Sequence, residues 1–177
     1  MTMTPSLRKL ALTAHITSTV GWLGAIAGFL ALAIAGLTSQ DAQFARGAYL
    51  AMELTGWYVL VPFCMASLAT GLVMSLGTPW GLFRHYWVLV KFAITVVAAI
   101  ILFMYTRTLS SLGNLARDTT LSIDDLHNPS PVLHAGAALL ALLVAVTLSV
   151  YKPRGLTKYG RRKQQEERTV LDNVLTS

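Results

Sequence analysis

Residues 7–37 read LRKLALTAHITSTVGWLGAIAGFLALAIAGL. Arg8 and Lys9 open the stretch, and no Lys, Arg, Asp or Glu follows until Asp41. A membrane crossing takes about 20 apolar residues, so this run is long enough for one. It is also too long for the apolar core of a secretion signal, about 7–15 residues, although Ala33-Ile34-Ala35 looks like a cleavage site. The stretch is expected to be a retained transmembrane helix.

The rest of the chain repeats the pattern. A second span is expected over about Ala48–Leu76, with Pro62 in its middle to kink it or release a carbonyl. Thr78 and Pro79 suit the N-cap and first residue of a third span, 79–105. A polar linker follows, in which Leu112, Leu115, Leu121 and Leu126 suggest a short surface helix. Ser130-Pro131 repeats the cap-then-proline signal and opens a fourth span, 131–151. Residues 152–177 form a basic tail, partly helical if Glu166, Glu167 and the leucines after them are read that way. Residues 1–151 thus form one four-span membrane domain.

Composition agrees. Of 177 residues, 54% are hydrophobic and 12% charged, against about 25% charged in soluble domains, and the mean hydropathy is +0.57. Disorder, a coiled coil and an ordinary soluble enzyme are excluded. The net charge of +6 does not point to nucleic acid, because the cations cluster at the N-terminus, beside the third span and in the tail. By the positive-inside rule both termini face the cytoplasm, with the tail against anionic lipid. The predicted class is all-α, a four-helix transmembrane bundle.

Span one carries Gly21, Gly24, Gly28, Ala31 and Ala35 at steps of three and four. Such a face packs helices closely, either within the chain or in a homo-oligomer. Ser67 and Gly71 in span two form a second small pair.

Ionisable residues inside a span are functional hypotheses by default: here His15, Glu53, His85, Lys91 and His134. His15 lies six residues past Lys9, and His85 six past Pro79, placing each about 9 Å into its span from the same side. Two histidines at one level on two helices are what a b-type haem needs for axial ligation. Ser18 and Thr19 are available partners for His15, and Trp22 is placed to wall a planar cofactor. Lys91 either snorkels to the headgroups or faces the bundle to meet a haem propionate or another anion. Glu53 and His134, at the opposite side, are expected to pair. His127 with Asp124 and Asp125 reads as a solvated loop. Cys64, Met65, Met74 and Met52 offer soft ligands for Cu(I), though methionine usually fills cores. Phosphate-loop, serine-hydrolase and zinc-protease motifs are absent, as is the C-x-x-C-H of a c-type haem.

The most distinctive stretch is Gly56-Trp57-Tyr58-Val59, Pro62, then Gly77-Thr78-Pro79-Trp80-Gly81-Leu82-Phe83-Arg84-His85-Tyr86-Trp87-Val88, and Lys91. Together with His15 and Gly21-Trp22-Leu23-Gly24, it resembles a family of small, uncharacterised four-helix bacterial integral membrane proteins. That family is similar in helix layout to the membrane domains of copper-resistance D-type proteins and to small cytochrome-b-like bundles. The resemblance covers spans one to three well and span four loosely. It implies a multi-pass protein of the bacterial inner membrane and carries no assigned activity. Two haems would need four intramembrane histidines, so the chain has room for one at most. The leading expectation is one haem b held through His15 and His85, for electron transfer or haem handling. The alternatives are a cofactor-free scaffold or accessory subunit, and an oligomeric transporter for a small solute or copper.

Overall fold

The computed structural model describes residues 3–77, 81–153 and 155–175, with backbone alone at 123, 124 and 171. Seven α-helices are present among them: α1 Pro5–Thr38, α2 Ala42–Thr55, α3 Val61–Leu76, α4 Tyr86–Arg117, α5 Ile123–Leu126, α6 Ser130–Tyr151 and α7 Lys158–Leu175. A π turn, Gly56–Leu60, joins α2 to α3 as one continuous span. Four segments are thus long and apolar enough to cross a membrane: Pro5–Thr38, Ala42–Leu76, Tyr86–Arg117 and Ser130–Tyr151. The shortest has 22 residues, about 33 Å of helix against a hydrocarbon core of about 30 Å.

The four spans close into a ring. α1 packs on α2 and α3, α2 on α4, α4 on α6, and α6 on α1. Only 17–28% of each span's most apolar window is buried. The outward surface therefore stays apolar: Met104, Leu140 and Val150 are all exposed. In water such a surface would drive aggregation, whereas lipid is its proper solvent.

Pro62 explains the π turn. It has no N–H to give and its ring crowds the carbonyl four residues back. The helix widens just before it, so that the Val61 N–H bonds the Gly56 carbonyl five residues back. At this turn Gly56 lies against α4, where a β-carbon would come within 2.5 Å of Leu109 Cδ1. The expected kink is therefore a local rewinding within one unbroken span.

Three expectations need correction. The third span does not run 79–105: helix begins at Tyr86 and continues to Arg117. The expected cap at Thr78 and Pro79 lies outside the described residues. Gly81 at φ +56° turns the backbone out of helix. Beyond it the tail takes up the polar groups: the Tyr86 N–H donates to the Gly155 carbonyl (3.2 Å) and the Thr157 N–H to the Arg84 carbonyl (3.0 Å). At the other end, Tyr105, Leu109, Leu112 and Ala116 are buried. Their helical spacing carries α4 on into what the sequence suggested was linker.

Second, of the two uses expected for the glycine stripe of α1, packing within the chain needs correction. The buried face is instead Ser18, Trp22, Ile26, Phe29, Ala33 and Gly36. Gly21 does touch α3, at Phe63, but Gly24 and Gly28 have nothing within 4 Å of a built β-carbon. Third, Pro129 rather than Ser130 is the N-cap residue of α6, and Asn128 Oδ1 accepts the Ser130 N–H at 2.8 Å.

Candidate functional site

Polar side chains gather at two levels of the bundle. Near the end that carries the tail, His15 of α1 faces α3. Its Nδ1 lies 3.0 Å from Thr70 Oγ1. Thr70 has one hydroxyl proton, and the Ala66 carbonyl at 2.6 Å receives it. With that proton given to the Ala66 carbonyl, the hydroxyl would accept from His15 Nδ1 and Nε2 would keep the lone pair. Gly71 makes room for the ring: a β-carbon there would stand 3.1 Å from His15 Cε1. Ser18, one turn on, donates its hydroxyl to the His15 carbonyl (3.0 Å).

From α4, Lys91 lies within electrostatic range of His15. Its ammonium sits 5.5 Å from the centroid of Trp87, a cation–π distance. The Trp87 ring in turn is 6.4 Å from the His85 ring. The structure thus brings His15, Thr70 and Lys91 to one level from α1, α3 and α4. His85 is not six residues inside a span, as the sequence suggested. It is the N-cap residue of α4 and pairs its backbone with Leu156 in an antiparallel bridge. The later start of α4 is the cause.

At the far end the expected Glu53–His134 pair is replaced by two separate arrangements. Arg117, carried up by the extension of α4, donates to Glu53 Oε2 at 2.6 Å. Glu53 lies over Gly113, where a β-carbon would come within 2.1 Å of the same oxygen. His134 instead stacks on Tyr105, with ring centroids 4.1 Å apart and planes 22° from parallel. Its Nδ1 is 2.9 Å from the Ser130 carbonyl, which can only accept, so Nδ1 again carries the proton. His127 Nε2 bonds the Ser39 carbonyl (3.0 Å) and ties two connections together. Arg46 crosses to the carbonyls of Ala116 (3.1 Å), Leu121 (2.7 Å) and Asp118. Beyond the spans, the Thr120 hydroxyl and amide hold the Asp118 carboxyl below the usual carboxylate range.

Between the two levels, α1, α4 and α6 border an apolar cavity of about 1120 Å³. Trp22 lines it, and its indole N–H is buried without a hydrogen-bond partner among the described residues. Cys64 and Met52 are fully packed into the same hydrophobic core, while Met65 points outward.

Sequence reasoning missed the docking of the tail. The Thr157 hydroxyl bonds the Phe83 carbonyl and accepts the Gly160 N–H. Arg84 forks onto Glu167, at 3.2 and 2.9 Å. Little signals this beforehand, because these residues are more than 70 positions apart. The fold and these clusters define a class: a four-helix membrane bundle with a histidine–lysine level at one end and a histidine–tyrosine level at the other. In comparisons with known proteins, no family model, curated protein or solved structure matches the chain.

Proposed function

We propose that this is a multi-pass protein of the bacterial inner membrane that binds one b-type haem at the tail end of the bundle. In this reading His15 would hold the iron, with Lys91 of α4, its N-cap residue His85 and Trp22 of α1 around the cofactor. The observation that carries it is the His15–Thr70 hydrogen bond. A ligating imidazole must be neutral, and its second ring nitrogen is ordinarily held by a hydrogen bond that fixes tautomer and orientation. His15 has that second-nitrogen partner, with Nδ1 3.0 Å from Thr70 Oγ1. At the same level, Lys91 would offer a propionate its ammonium or, once deprotonated, the iron its amine lone pair. Bound haem would supply one-electron chemistry, which fits electron transfer or haem handling. Both termini are read as cytoplasmic from the Lys/Arg placement.

The test is the absorption spectrum of protein purified after expression with haem precursor. Wild type is expected to show a Soret band that sharpens on reduction. His15→Ala should lose it, while separate Lys91→Ala and His85→Ala variants identify the second ligand by which of them changes band position.

A second reading, a membrane scaffold or accessory subunit, is favoured by the exposed helix α7 and the outward Gly24–Gly28 notch. It predicts that a partner chain co-purifies with wild type and is lost when the tail is removed.

A further inference from the structure

The cavity bordered by α1, α4 and α6 has a chemistry of its own. Most of its lining is alanine, leucine, isoleucine and valine, and no Lys, Arg, Asp or Glu contributes. A phosphate or carboxylate headgroup would have no counter-charge there, so the occupant is uncharged. Along α4 the lining runs from Val90 to beyond Thr108, roughly 27 Å of helix, room for an extended apolar chain.

The polar groups Tyr105, Thr108 and His134 lie toward one end. Two observations there define a headgroup. His134 is exposed and stacks on buried Tyr105, presenting a flat aromatic platform at an edge of the cavity. With Nδ1–H given to the Ser130 carbonyl, His134 keeps an Nε2 lone pair that has no partner among the described residues. Nε2 can then only accept, so the ligand needs an uncharged donor, which a hydroxyl supplies. His134 lies four residues into α6, about 6 Å from the start of the helix, a depth that a molecule reaches from the bilayer.

We propose that this cavity binds a neutral membrane-soluble phenol or quinol, its hydroxyl donated to His134 Nε2 and its apolar chain laid along α4. The headgroup end is separate from the haem reading, because His134 and His15 lie at opposite ends of the bundle, although Trp22 borders both.

The probe is a benzoquinol carrying a decyl chain, titrated into full-length protein in nanodiscs of zwitterionic lipid, with empty nanodiscs subtracted. The expected result is saturable binding of one molecule per chain. The dimethyl ether of the same compound, which has no donor, should bind about five- to tenfold more weakly. His134→Ala should weaken the quinol by a similar factor, and His134→Gln, which restores an acceptor oxygen, should recover part of it. Ala138→Phe, which fills the slot, should remove binding of quinol and ether alike. The proposal is overturned if no saturable binding exceeds the empty nanodiscs. It is equally overturned if quinol and ether bind alike, or if His134→Ala, shown helical and monodisperse, binds as wild type does.

Discussion

At the scale of single residues, the structure turns on which atom of each histidine carries its proton. With the Thr70 proton on the Ala66 carbonyl and the Ser130 carbonyl beside His134 Nδ1, both histidines would keep the lone pair on Nε2. Thr70→Val keeps the shape and removes the acceptor. On the haem reading it should leave the cofactor bound but shift its reduction potential, whereas His15→Ala should remove it; potentiometric titration distinguishes the two. Asp118 gives a pH prediction. Its carboxyl accepts from the Thr120 hydroxyl (2.6 Å) and amide (3.0 Å), and its folded value lies below its unfolded one. The loop is therefore held fully above the unfolded value and released as pH falls through the folded one. The protection of the Thr120 amide, its exchange rate relative to the intrinsic rate at each pH, should fall across that acidic window, and in Asp118→Asn it should show no such step. Unchanged protection in the wild type would contradict this.

At the scale of elements, the four spans were legible because lipid imposes a simple rule: every span must be long, apolar and helical. Their ends were less legible. Tyr105, Leu109, Leu112 and Ala116 share one face of a helix, but Arg107 and Arg117 beside them read as linker until α2 is known to cover that face. The start of α4 depends on a strand-like pairing with residues 155–157, which no local pattern contains. As a packing face within the chain, the small-residue stripe of α1 misled for a related reason. A membrane helix can bury either small or large residues, and here Trp22, Ile26 and Phe29 fill the interior. Substitution tests that assignment. Gly24→Ala and Gly28→Ala meet open space and should hold or raise stability in detergent by up to about 1 kcal/mol each, the helix-propensity difference. Gly21→Ala would bring a β-carbon within 2.7 Å of the Phe63 ring and should cost about 1–3 kcal/mol, typical of overpacking. Thermal midpoints of the three variants decide it, and equal midpoints would refute the assigned face.

At the scale of the whole molecule, the tail is part of the fold. Gly160 sits where a β-carbon would come within 2.3 Å of the Arg84 carbonyl oxygen, so the close approach of α7 to the 81–85 loop requires glycine. Gly160→Ala should therefore release α7 and speed tryptic cleavage after Arg161 and Arg162 several-fold. Glu167→Ala removes only a partly exposed ion pair and should change the rate little. Faster cleavage in Glu167→Ala than in Gly160→Ala would show that the salt bridge, not the backbone contact, holds the tail. The histidine–lysine level lies just inside this docked tail. Its components were each visible as intramembrane ionisable residues, yet the partnership of His15 with Thr70 was not, because threonine in a helix usually bonds its own backbone. The most direct test of the central claim is the reduced-minus-oxidised difference spectrum of detergent-purified protein, wild type beside His15→Ala. The account predicts sharp α and Soret bands in the wild type and their loss in the variant. A featureless spectrum from monodisperse, helical wild-type protein expressed with haem precursor would contradict it.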